Sequence, residues 1–154
     1  MSTGTSNKPR VWILIFLIGA PLSVAQSHPD SEAILLNNRG VALMGQQSTQ
    51  RASDTFASAV QKDPKLTQAA VNEGIALLVL EKLDESKSAL RKALALDPNN
   101  PQAWYNLGLA QHASNNLTDA LASFQQAAKL DPRDADSLYF EGACYQEMGQ
   151  YDRA

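Results

Sequence analysis

The chain has 154 residues, 13 basic against 16 acidic, for a net charge of −3. This balance argues against a nucleic-acid partner, which needs Lys and Arg clustered to meet phosphates. One cysteine, Cys144, leaves no partner for an internal disulfide.

The first 25 residues form a segment of their own. Met1 to Arg10 holds Lys8 and Arg10 and no acid, Val11 to Ala20 is apolar throughout, and Ser23-Val24-Ala25 supplies small residues spaced for signal-peptidase cleavage before Gln26. The pattern predicts a secretory signal over 1–25. The competing reading is an uncleaved membrane anchor, against which stand the shortness of Val11–Ala25 relative to the roughly 20 residues of a spanning helix and the presence of Pro21. Under both readings everything after Ala25 is exported, periplasmic or extracellular, and a membrane is a partner only if the segment stays uncleaved. No cysteine follows the apolar stretch, which excludes a bacterial lipid anchor. Without these residues the balance is 11 basic to 16 acidic. Residues 26–32, with His28, read as a short polar linker.

From residue 33 onward the chain repeats. Gly40, Gly74, Gly108 and Gly142 keep a fixed spacing of 34, and Pro64, Pro98 and Pro132 keep the same one. A period of this length is the mark of one supersecondary unit copied and stacked, and it divides the chain into 33–66, 67–100, 101–134 and a partial 135–154. Each unit reads as two amphipathic helices. In the third, Trp104, Leu107, Gly108 and Gln111, then Ala120, Phe124 and Ala127, recur at helical spacing. Gly108 and Ala120 are small where the helices should cross closely, and Trp104 and Phe124 are large where a gap needs filling. Asp131-Pro132 closes the unit, because proline lacks a donor and disfavours helical geometry in the residue before it. The expected fold is an all-α solenoid.

The pattern resembles the tetratricopeptide repeat, whose signature is Trp-x2-Leu-Gly-x2-Tyr followed by Ala, Phe, Ala and Pro at fixed offsets. The third unit keeps all but the tyrosine, which is Gln111. The first offers Leu36, Gly40, Leu43, Ala52, Phe56, Ala59 and Pro64, with Arg39 in the leucine position. The second offers Ala70, Gly74, Leu77, Leu90, Ala93 and Pro98, with Glu73 and Ser86 as departures. The fourth shows Leu138, Gly142 and Tyr145, then stops at Ala154, one turn into a second helix and without a polar cap. The expectation is a fragment or a prematurely ended reading frame.

Catalytic chemistry finds little support. His28 and His112 lack an acid or cysteine at a spacing that suggests a ligand set, so neither a metal nor a cofactor is expected, nor an enzyme in the visible part. Cys144 reads as a small buried hydrophobe, with a reactive thiol as the minor alternative. Asn116-Leu117-Thr118 matches an N-glycosylation sequon, with meaning only in a eukaryotic secretory pathway.

The resemblance implies a concave surface lined by the first helix of each unit that binds a protein or extended peptide. The matching residues are Asn37, Asn38, Val41 and Met44; Val71, Asn72, Ile75 and Leu78; Tyr105, Asn106, Leu109 and His112; and Tyr139, Phe140, Ala143 and Gln146. This strip is mostly apolar and nearly uncharged, which suits an apolar or neutral segment. Related co-chaperones grip the terminal carboxylate of heat-shock chaperones with Lys and Arg, but here those positions hold Asn37, Gln102 and Asn106, or, one unit later, Val71, Asp136 and Phe140. No heat-shock carboxylate clamp is therefore expected. Asn38, Asn72 and Asn106 recur two residues before each glycine and resemble an asparagine ladder that holds a peptide backbone. The alternative is that they bond neighbouring helices. The functional expectation is a binding scaffold or adaptor. The other reading, from a different class, is the N-terminal scaffold arm of a larger exported protein that continues into a β-propeller or ASPIC/UnbV-type region.

Overall fold

The computed structural model describes residues 30–149, so the predicted signal over 1–25 and the chain end after Gly149 lie outside the described residues. Seven helices and no strand are found among them: α1 Ser31–Gly45, α2 Thr49–Lys62, α3 Thr67–Val79, α4 Leu83–Leu96, α5 Pro101–Ala113, α6 Leu117–Leu130 and α7 Ala135–Glu147. Their starts follow the 34-residue period, with one correction at the beginning. Asp30 caps α1, its Oδ1 accepting from the backbone N–H of Glu32 (2.8 Å) and Ala33 (3.3 Å), so Ser31 and Glu32 are helical and do not belong to the predicted 26–32 linker.

Two kinds of turn repeat as strictly as the helices. Between the helices of a unit the chain passes through the left-handed region at Gln47, Glu81 and Asn115, with φ of 56°, 58° and 57°, and Gly149 takes the same place after α7 with φ 74°. The next residues, Ser48, Lys82 and Asn116, each donate at 2.9 Å to a carbonyl five residues back, on Leu43, Leu77 and Gln111, which satisfies the last turn of the helix in a Schellman arrangement. Between units, Asp63, Asp97 and Asp131 are extended, with φ of −134°, −136° and −129°, as the following proline requires. Their Oδ1 atoms accept from the N–H two residues on, at Lys65 (3.0 Å), Asn99 (3.1 Å) and Arg133 (3.2 Å).

Packing follows side-chain size. A Cβ on Gly40 would lie 2.5 Å from the Phe56 ring, one on Gly74 2.5 Å from Leu90, and one on Gly108 2.6 Å from Phe124. These glycines let the paired helices close onto a large residue that is itself fully buried. Departures from the repeat pattern are satisfied locally. Ser86 is buried and donates to the Gly74 carbonyl at 2.8 Å. Gln111, buried in the tyrosine position, pairs its side-chain amide with the Ser123 hydroxyl of the partner helix at 2.7 Å. Glu73, in a leucine position, is half-buried, and burial pushes its carboxyl above the usual range; Lys92 opposes the shift and Glu85 adds to it.

Every helix packs on its neighbours in sequence. In addition α1 packs on α3 and α3 on α5, whereas the second helices α2, α4 and α6 form no comparable row. The stack therefore bends with the first helices on its inner side.

Candidate functional site

The inner face is built from one stripe of α1, α3, α5 and α7. Positions four residues apart on a helix share a face, so Asn37–Val41, Val71–Ile75, Tyr105–Leu109 and Tyr139–Ala143 run side by side along the stack. Their environments differ widely. Val71 is fully buried in a cluster with Ala70, Leu90, Ala93, Leu94, Ala103 and Leu107, so it belongs to the core and not to the predicted groove lining. Ile75 is half-buried against the same cluster and Leu109 against that of Ala120, Phe124 and Cys144; both show an apolar edge to the face. Val41 is exposed, and Tyr139 is 71% exposed.

The periodic asparagines do not form one continuous row. Asn38 is exposed. Asn72 donates to Asn37 Oδ1 at 2.8 Å and accepts from Gln68 Nε2 at 3.1 Å, so the bond between units runs to Asn37 and not to the periodic Asn38. Asn106 is buried, and its amide donates to the Gln102 carbonyl of its own helix at 2.7 Å. Of the three, only Asn38 and Asn72 keep their amides at the surface.

The α5–α7 end carries an aromatic group that the repeat pattern does not announce. Phe140 stacks on Phe124 with centroids 5.2 Å apart and meets Tyr105, Tyr139 and His112 at 6.0, 5.4 and 6.1 Å. Tyr105 meets Phe124 at 5.9 Å. Tilted and edge contacts of this kind fix ring orientations beyond what area burial alone would do. His112 has a partner after all, since its Nε2 lies 3.0 Å from Glu147 Oε1. The sequence spacing of 35 between them concealed the contact. Cys144 is buried, and burial, then Glu147 and Glu141, push its thiol above the ordinary range, as expected of a packing residue.

Beside Tyr105 opens a cleft of about 290 Å³ lined by Pro101, Gln102, Tyr105, Asp131, Asp134 and Asp136. Burial pushes the Tyr105 hydroxyl up, with Asp136 and then Asp134 adding to the shift. Among the described residues no group of three His, Cys, Asp or Glu is placed to hold a metal ion, and no helix is long and apolar enough to cross a membrane.

Comparison with known proteins matches this geometry to one family. A family profile described as tetratricopeptide repeat matches residues 71–135 and 113–154, together more than half of the chain. Among solved structures, the first such domain of Spaghetti (RPAP3), bound to the HSP90 peptide SRMEEVD, superposes with a TM-score of 0.76 at 22% identity, over 80% of this chain and 98% of that one. The second such domain of human RPAP3, in complex with the HSP70 peptide SGPTIEEVD, gives 0.72 at 20% identity over 76% and 98%. MamA from residue 41 to its end, from Desulfovibrio magneticus RS-1, gives 0.73 at 24% identity over 78% and 68%. No curated protein matches the chain.

Proposed function

The chain belongs to the tetratricopeptide repeat family, and we propose that it is an exported adaptor that holds an extended protein segment along the inner face of its first helices. Domains of this family fold serve in protein interaction, as in the peptide complexes of the RPAP3 domains. The observation that carries the proposal is the inner stripe itself. Val41, Met44, Ile75, Leu78, Tyr105, Leu109 and Tyr139 offer an apolar strip on which Val41 and Tyr139 are exposed among the described residues, with Asn38 and Asn72 as amides able to pair with a peptide backbone.

The acidic tails held by the RPAP3 domains are a poor match for this strip. Asn37, Gln102 and Asn106 stand where a carboxylate clamp needs cations, and a carboxylate without a cationic partner gains little. An apolar or neutral segment is the better occupant.

The test is a screen of immobilised peptides followed by titration of the best binder. Replacing Tyr105 and Tyr139 together by Ala should weaken binding by about tenfold or more, as expected for aromatic anchors. Replacing Arg91 and Lys92 on α4 should leave it unchanged. Loss of binding only in the α4 variant would sink the inner-face reading. Export has its own test: N-terminal sequencing of the secreted chain should begin at Gln26, and full-length chain in the membrane fraction would favour the anchor instead.

A further inference from the structure

We infer that the α5–α7 end of the groove receives a Lys or Arg side chain, so that the partner is an extended apolar segment carrying a positive charge. The inference rests on the groove reading and adds the charge of its occupant.

The argument begins with how unevenly charge is spread along the inner face. On α1 and α3 the stripe presents Asn38, Val41, Met44, Asn72, Ile75 and Leu78, none of them ionisable. At the other end the cleft beside Tyr105 has three carboxylates on its walls, Asp131, Asp134 and Asp136, and no basic residue among its lining. Two of the three are partly engaged: Asp131 accepts from the N–H of Arg133, and Asp134 accepts from the N–H of Asp136 and from the Ser137 hydroxyl. Asp136 is exposed, and its carboxylate makes no hydrogen bond or ion pair among the described residues. Arg133, in the same loop, is exposed and lies outside the lining of the cleft.

The shape of the cleft selects the occupant as much as its charge does. Tyr105 is half-buried and forms one wall, so a long cationic side chain can lay its methylene stem on the ring while its head reaches the carboxylates. The negative potential of Asp136 and Asp134 reaches the Tyr105 hydroxyl and raises its pKa alongside burial, which places ring and acids in one electrostatic environment. A peptide threaded along the face thus meets apolar surface across α1 and α3 and a cation-accepting slot at α5 and α7. Acidic segments meet repulsion there.

The experiment uses the full chain and short blocked peptides with apolar residues randomised on both sides of a central lysine, glutamine or glutamate. Affinities are read by fluorescence anisotropy at low salt. Lysine peptides should bind about tenfold more tightly than their glutamate counterparts, the scale of one charge-assisted contact. Asp136→Asn should bring the lysine and glutamine sets together, and Asp136→Lys should invert the order of lysine and glutamate. Both substitutions lie at an exposed position, and circular dichroism checks that helicity is kept. Added salt should shrink the lysine advantage and spare the glutamine set. Equal affinity for all three sets, or an unchanged order in Asp136→Lys, would overturn the charge assignment and leave the groove reading standing. Failure of every set to bind would overturn both.

Discussion

The seams between paired helices and the inner face of the stack arise from the same periodic sequence, yet they follow different rules. In the seams one size relation recurs: Gly40 against Phe56, Gly74 against Leu90, Gly108 against Phe124. On the inner face, the equivalent positions 37, 71, 105 and 139 hold a buried asparagine, a buried valine, a half-buried tyrosine and an exposed tyrosine. The seam has to fit a copy of itself in each unit, so its residue sizes are constrained. The face meets solvent or a partner, and its residues are free to diverge from unit to unit.

The largest effect expected from breaking the seam is Phe124→Ala. It removes a fully buried ring from the contact between Gly108 and Phe140 and should cost about 3–5 kcal/mol in chemical denaturation. Gly108→Leu attacks the same seam from the other side. Its Cβ alone would sit 2.6 Å from the Phe124 ring, so the helices must separate, at about 1–3 kcal/mol and a lower melting temperature. An unchanged melt for either variant would mean that the seam is not where the stability resides.

Glu73→Leu sharpens the comparison by restoring the residue the repeat pattern asks for. The folded chain raises the Glu73 pKa, chiefly by burial, so this group's favourable contribution is fully present below the ordinary carboxylate pKa and is lost as pH rises through the elevated value. At neutral pH the ionised, half-buried carboxylate is a liability. The leucine variant should therefore gain about 1 kcal/mol there, with the advantage shrinking in acid; pH-dependent melts would show a gain that is flat with pH if burial is not the cause. The smallest effect belongs to the turns. Glu81 holds φ of 58°, so Glu81→Gly should stabilise by about 0.5–1 kcal/mol, read as a small rise in melting temperature.

The same contrast explains what could be read from the chain. The helix pairs and the seams were legible because period and size together leave few arrangements: Gly, Phe and Asp-Pro each have a physical task that only a few residues perform. The turn residues were less so, since Gln47 and Glu81 adopt a left-handed conformation that their identities do not advertise, whereas Gly149 does. The face was legible as a stripe but not as a set of environments. Helical spacing places Val71 and Tyr105 at equivalent points, and only packing shows that the cluster around Leu90 covers the first while Phe140 and an acidic rim shape the surroundings of the second. The partner of Asn72 was not legible, because Asn37 and Asn38 are adjacent in sequence and the choice between them depends on which amide points across to α3. His112 and Glu147 meet across two helices, a contact that no local pattern encodes.

The most direct test of the inner-face account is nuclear magnetic resonance mapping of a bound peptide on the labelled chain. The account predicts that saturation shifts the side-chain amides of Asn38 and Asn72, the methyl groups of Ile75 and Leu109, and the rings of Tyr105 and Tyr139, and leaves the exposed residues of α2, α4 and α6 unchanged. Shifts confined to α2, α4 and α6 would contradict it.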